Sequence, residues 1–296
     1  SKVLAFMALM ILSLSTLPLM VHAQSQPYIY GTIIFYNNTF IPGYATPFII
    51  KTNSSFFYVN YGPWLPLISY TYDPQHKVLY VLITEFLSSS YTNIYYPYSL
   101  IYVINASDNA LINIIPFNYT IVLTGITYDS SNGYLYLSGA KVFNYTAFES
   151  STPSGFEEIV LALNPQLGYR VVQVINVTQY AYVEINGSIF YGYPAIFYNN
   201  VTRYIYVEFI ISVYAKYAGI NVIAMNPSTG HVIAYESMLG LYGPFNENYN
   251  PRTGYFYFYG YTINPYNLSI VGNYTSSLIS SGITDILCEA YDPITN

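Results

Sequence analysis

A short formula recurs along this chain: a tyrosine, an Asp or Asn, a tight turn, and then a run in which aromatic and aliphatic residues alternate. It occurs at Tyr72-Asp73-Pro74-Gln75-His76-Lys77-Val78-Leu79-Tyr80-Val81 and at Tyr128-Asp129-Ser130-Ser131-Asn132-Gly133-Tyr134-Leu135-Tyr136-Leu137. It returns at Tyr198-Asn199-Asn200-Val201-Thr202-Arg203-Tyr204-Ile205-Tyr206-Val207 and at Tyr249-Asn250-Pro251-Arg252-Thr253-Gly254-Tyr255-Phe256-Tyr257-Phe258. Tyr291-Asp292-Pro293-Ile294-Thr295-Asn296 opens a fifth copy. Self-similarity at this scale constrains the fold more than any composition does. A unit this small cannot bury its own apolar faces and has to stack on its neighbours.

The chemistry of each copy is that of a hairpin. The Asp or Asn side chain can accept a backbone hydrogen bond from two residues on, and Pro fixes φ at the next turn position. Gly133 and Gly254 supply the positive φ at which the chain re-enters a strand. Beyond the turn, alternate residues face opposite ways: Val78 and Tyr80 one way, Leu79 and Val81 the other. Both faces are large and apolar, which predicts a strand sandwiched between two neighbouring sheets.

A second hairpin follows most copies, turning at Asn105-Ala106-Ser107-Asp108-Asn109, at Asn164-Pro165-Gln166-Leu167-Gly168 and at Asn226-Pro227-Ser228-Thr229-Gly230. Two hairpins per unit make a four-stranded antiparallel sheet. The units start 56, 70, 51 and 42 residues apart. A propeller blade needs roughly 40 to 45 residues, so the longer units are expected to carry insertions between their second and third strands. The predicted fold is all-β, a β-propeller of four-stranded antiparallel blades over residues 62–296. In the fourth unit the third and fourth strands are expected to be compressed into residues 264–271. The chain starts at Ser and stops inside a repeat, so an incomplete ring truncated at both ends is expected. Residues 24–61 lack a copy; they form an N-terminal β segment that completes the ring by strand exchange, or a separate cap.

The turn followed by a hydrophobic-Tyr-Val strand, then by a strand, an Asn-Pro-x-x-Gly turn and a valine-rich strand, resembles the YVTN-type β-propeller repeat of archaeal and bacterial surface proteins. The resemblance covers about residues 62–296. It implies a non-enzymatic extracellular protein, binding or structural, whose loops meet a glycan or a surface-layer protein.

Hydrophobic residues make up 53% of the chain and charged residues 7%, against a usual charged share of roughly 25%. After residue 23, however, no apolar run reaches the roughly 18 residues of a spanning helix. The apolar fraction is inflated by 39 tyrosines, whose rings are apolar and whose tips are wet. The eight Lys and Arg residues are scattered, which argues against a nucleic-acid partner and against a grip on anionic lipid. So few ionisable groups leave a surface that changes little with pH, and an acidic or otherwise harsh external medium is expected.

Lys2, the apolar run from Val3 to about Met20, and Val21-His22-Ala23 read as a signal peptide over residues 1–23. Membrane attachment is expected only through an uncleaved N-terminus or a segment beyond the present C-terminus. Ten Asn-x-Ser/Thr sequons accompany the leader: Asn37, Asn53, Asn105, Asn118, Asn144, Asn176, Asn186, Asn200, Asn267 and Asn273. Together they predict a secreted, N-glycosylated, cell-surface protein. The single cysteine, Cys288, is either a buried apolar residue or half of a bridge to sequence outside this chain.

No catalytic, metal or cofactor residue is assigned. Past the leader the histidines are His76 and His231, both in or beside turns, where solvation is the usual state. Glu157 and Glu158 are adjacent in a strand and must face opposite ways, so only one can reach any site. The recurrent acid at Asp73, Asp129 and Asp292 is replaced by Asn199 and Asn250 in two copies, which keeps a turn cap but not a metal charge. The aromatic stretches Tyr91–Tyr98 and Phe190–Tyr193 read as loops able to stack on sugars. The alternative reading is a secreted hydrolase, with carboxylate catalysis or with catalytic residues beyond the C-terminal end.

Overall fold

Each Tyr-Asx turn joins two antiparallel strands, and a computed structural model shows how these pairs assemble. It describes residues 28–36, 42–51, 55–58, 67–88, 95–145, 155–185, 188–211, 219–239, 249–258 and 260–273. The leader at 1–23, the fifth copy at Tyr291, Cys288 and the sequons Asn37, Asn53 and Asn186 lie outside the described residues.

Ahead of the repeats, β1 (Tyr28–Tyr36), β2 (Pro42–Lys51) and β3 (Ser55–Tyr58) form a three-stranded antiparallel meander. The first blade is β4 (Leu67–Asp73), β5 (Val78–Ser88), β6 (Tyr95–Asn105) and β7 (Leu111–Pro116), paired in chain order. The second repeats that order with β8 (Ile121–Asp129), β9 (Tyr134–Val142), β10 (Phe156–Asn164) and β11 (Arg170–Asn176). A small hairpin, β12 (Tyr182–Ile185) and β13 (Ser188–Tyr191), precedes the third blade. That blade is β14 (Tyr193–Asn199), β15 (Tyr204–Ile211), β16 (Gly219–Asn226) and β17 (His231–Leu239). The fourth contains β18 (Phe256–Phe258), β19 (Tyr261–Ile263) and β20 (Ile270–Asn273), with Tyr249 bridged to Phe256 where a first strand would lie. Its third strand therefore precedes residue 264, and 264–269 form the turn rather than compressed strands.

Register repeats as faithfully as strand order. Tyr80 faces Val103, Tyr136 faces Ala162 and Tyr206 faces Ala224 across the second and third strands. A bulge falls at the same place between the third and fourth strands of every blade, at Val103/Ile104, Ala162/Leu163, Ala224/Met225 and Thr262/Ile263. Bulges bend a strand and increase its twist, so the outermost strand of each blade departs from its neighbour in the same way.

The sheets stack face to face, as the two apolar faces require. Tyr80, Leu82, Ile101 and Val103 of the first blade share a core with Leu135, Leu137, Ile159 and Leu161 of the second. The opposite face of the second blade, Tyr136, Val160 and Ala162, packs on Ile205, Val207 and Ile223 of the third. Tyr206, Val222 and Ala224 then meet Phe256, Phe258 and Ile263 of the fourth. Burial drops at the outermost strand: β8, β9 and β10 are almost wholly buried, whereas most of β11 is exposed. Consecutive up-and-down sheets stacked this way are propeller blades.

The extra length of the long units is divided between two places. Residues 143–155 lie between the second and third strands, where insertions were expected, but β12 and β13 form an additional hairpin between blades.

Candidate functional site

The up-and-down path puts the turns between strands 1 and 2, and between 3 and 4, at one end of every blade. The connections between strands 2 and 3, and from blade to blade, fall at the other. The two ends differ in chemistry.

At the turn end the recurrent Asx caps its own loop. Asp73 Oδ1 accepts the N–H groups of Gln75 and His76 at 2.9 and 3.1 Å. Asp129 Oδ1 accepts from Ser131 N at 2.8 Å, Asn199 Oδ1 from Val201 N at 2.9 Å and Asn250 Oδ1 from Arg252 N at 2.9 Å. The fifth residue of each loop has positive φ: Lys77, Gly133, Arg203 and Gly254. His76 is not merely solvated, since its Nδ1 lies 2.6 Å from Asp73 Oδ2; His231 is exposed.

The tyrosines of the formula join blade to blade. The Tyr preceding each Asx reaches back to the previous blade's turn. Tyr128 lies close enough to Asp73, and Tyr198 to Asp129, for each carboxyl to oppose ionisation of the phenol, and the Tyr249 hydroxyl donates to Asn200 Oδ1 at 3.0 Å. The inner Tyr of the second strand reaches forward. Tyr136 donates to Pro227 O at 3.0 Å and Tyr206 to Pro265 O at 2.8 Å, both in the next blade's Asn-Pro turn. Tyr80 instead meets Tyr169, which stands edge-on to it at 6.3 Å. Desolvation pushes the Tyr136 phenol up to about 12 and raises Tyr80 and Tyr206 further, so these hydroxyls stay protonated donors.

At the other end the second and third blades enclose a buried acid. Glu157 and Glu158 face opposite ways in β10; Glu157 is half-buried opposite Lys141, and Glu158 is 4% exposed opposite Ala140. The repeat register equates Glu158 with Ser99 of the first blade. There Thr84 Oγ1 lies 2.7 Å from Ser99 Oγ and donates to Leu123 O at 2.6 Å, while Leu123 N donates to Ser99 Oγ at 3.0 Å. That polar stitch is absent at Glu158, whose Oε2 has no hydrogen-bond partner. Desolvation pushes its carboxyl up to about 8, so it is chiefly a neutral acid at pH 7.

The inserted hairpin covers this seam. Thr178 Oγ1 accepts from Glu158 N at 2.9 Å, and Val177 N donates to Glu158 O at 2.8 Å. Asn221 Nδ2 holds the carbonyls of Tyr180 and Tyr182 at 2.8 and 3.0 Å. Tyr191, whose phenol is raised by burial, then by Tyr182 and by Glu158, packs edge-on against Phe156 at 5.0 Å and tilts on Tyr182 at 5.6 Å. A protonated carboxyl among aromatic rings can donate a hydrogen bond or a proton to an uncharged, hydroxyl-bearing group. Among the described residues no group of three His, Cys, Asp or Glu side chains is placed to hold a metal.

The structure separates the other candidate residues. Of the sequons, Asn118, Asn144, Asn176, Asn200, Asn267 and Asn273 are exposed and Asn105 is half-buried. Tyr95, Tyr96 and Tyr98 belong to β6 rather than to a loop, and residues 91–94 lie outside the described residues. Phe190 and Tyr191 end β13, and Tyr193 begins β14. The covering of Glu158 and the anchoring role of Asn221 escaped sequence reasoning. The one available signal was the 70-residue unit spacing.

No protein-family model matches the chain, and no curated protein sequence matches it. Several solved structures resemble it in fold. Hydrazine synthase of Kuenenia stuttgartiensis is 14% identical, with a TM-score of 0.42, over 69% of this chain and 51% of that one. Trypanosoma rangeli sialidase is 8% identical, with a TM-score of 0.44, over 80% and 38%. The periplasmic gluconolactonase of Pseudomonas aeruginosa is 9% identical, with a TM-score of 0.29, over 82% and 94%. The matches thus span about half of the hydrazine synthase chain and less of the sialidase.

Proposed function

We propose that this chain is a secreted cell-surface β-propeller of the YVTN type that binds a glycan or a protein partner, or serves as a structural element beside one. One observation carries the reading: the two ends of the blades are built for different purposes. At the turn end the recurrent Asp, Asn and Tyr residues are engaged in capping and in joining blades, so they form a frame. At the opposite end the connections vary, with 89–94, 143–155 and 212–218 after the second strands and a whole hairpin between the second and third blades. A rigid frame with variable loops at one end suits recognition. Exposed sequons and an expected leader support an extracellular address, and no helix among the described residues is long and apolar enough to cross a membrane.

A second reading, a secreted hydrolase, draws on Glu158, because a buried carboxyl held neutral is the usual form of a general acid. The secreted chain, screened on a glycan array and on chromogenic glycosides and esters, separates the two. Binding without turnover is expected. Turnover that disappears in Glu158→Gln would replace the binding reading with the hydrolase.

A further inference from the structure

Among the described residues the outermost strand of every blade pairs on one side only, and the edges carry little of the usual protection. Leu111, Ile112 and Ile114 of β7 are exposed, as are Val171, Val172 and Val174 of β11. Ile270 and Val271 of β20 repeat the pattern. Strands β7 and β20 carry no ionisable side chain, β7 ends in Pro116, and β11 carries only Arg170 at its start. Exposed β-branched edges without charge are templates for pairing with another chain, and proteins ordinarily blunt them with lysine, other charges or proline.

The sequons fall at the ends of these strands. Asn105 opens the turn into β7, and Asn118 follows it. Asn176 ends β11, Asn267 lies in the turn into β20, and Asn273 ends β20. Strand β17 makes the contrast. Its turn residue Asn226 is followed by Pro227, which rules out a sequon, and it is the outer strand that exposes two ionisable residues, His231 and Glu236. Local geometry agrees with modification. Asn105, Asn118, Asn176 and Asn267 each accept the backbone N–H of their own sequon Ser or Thr, at 2.8, 3.2, 3.0 and 3.1 Å. That turn uses Oδ1 and not Nδ2, the atom that takes the sugar. Asn200, away from the edges, uses Oδ1 for Tyr249 instead.

We infer that N-glycans at Asn105, Asn118, Asn176, Asn267 and Asn273 shield the open edges of β7, β11 and β20, replacing the charged residues this chain lacks. The inference rests on the extracellular, glycosylated reading above and adds a position-specific role to it. A bulky hydrated chain at a strand end obstructs approach along the edge without placing a charge there.

The test is secretion of the chain from a host that N-glycosylates, with glycopeptide mass spectrometry and light scattering. Three forms are compared: the parent, a form lacking the five edge sequons through Asn→Gln, and a control carrying Asn144→Gln and Asn200→Gln. Parent and control are expected to be monomeric. The edge form is expected at least to double its weight-average mass at equal concentration. If it loses its β-type circular dichroism, Ser107→Ala, Thr120→Ala, Ser269→Ala and Thr275→Ala remove four of the five sequons and leave the backbone N–H bonds to Asn105, Asn118 and Asn267 in place. Absence of glycan anywhere overturns the glycosylated reading itself. Glycan confined to Asn144 and Asn200, or a monomeric edge form, overturns the shielding role and leaves that reading standing.

Discussion

Glu158 is the residue whose ionisation the fold opposes most plainly. Its folded carboxyl titrates near 8, against 4.5 for the unperturbed group, and burial is the cause. Between those values the folded form binds the proton that the unfolded chain releases, so stability is full below about pH 4.5 and falls as pH rises toward 8. The loss is of the order of 4 kcal/mol across that window. Tyr191 of the covering hairpin lies near this carboxyl and supplies no positive charge, and desolvation alone sets the carboxyl's titration. Glu158→Gln is expected to flatten the slope, so that urea midpoints at pH 5 and pH 8 converge in the variant and diverge in the parent. An acid-favouring profile would also agree with the external medium that the scarcity of charge suggests.

Among elements, the tyrosine of the second strand does most to join one blade to the next. Tyr136→Phe and Tyr206→Phe keep the ring packing and remove two hydrogen bonds each, the one to Pro227 O or Pro265 O and the one with Asn132 Nδ2 or Thr202 Oγ1. Each is expected to cost about 1–2 kcal/mol in urea unfolding, with secondary structure unchanged by circular dichroism. Much of this level was legible beforehand, because Asx, Pro and Gly announce turns and alternation announces faces. What was hidden has physical reasons. Lys77, Arg203, Tyr169 and Leu268 adopt positive φ without being glycine, so nothing in their chemistry marks the turn. Strands β12 and β13 are four residues each, too short for alternation to register. Alternation turned Glu157 and Glu158 apart correctly but carried no information on what covers Glu158. The cover comes from an insertion that no other repeat shows among the described residues.

For the whole molecule, the drop in burial at the fourth strand of a blade sets the order in which the structure opens. Hydrogen exchange followed by mass spectrometry is expected to show β8 and β9 protected to the limit of global unfolding. Strands β7 and β11 should exchange at least tenfold faster through local fraying. Uniform protection across a blade would contradict this picture. The blade-to-blade bonds have a further consequence. The second and third copies each direct one phenol toward the unit before and donate another to the unit after. The joint therefore has a direction, and any copy is a fit partner for any other. An in-frame duplication or loss of one unit leaves both new neighbours with matching halves, so the gene can lengthen or shorten by whole blades without first inventing a new interface.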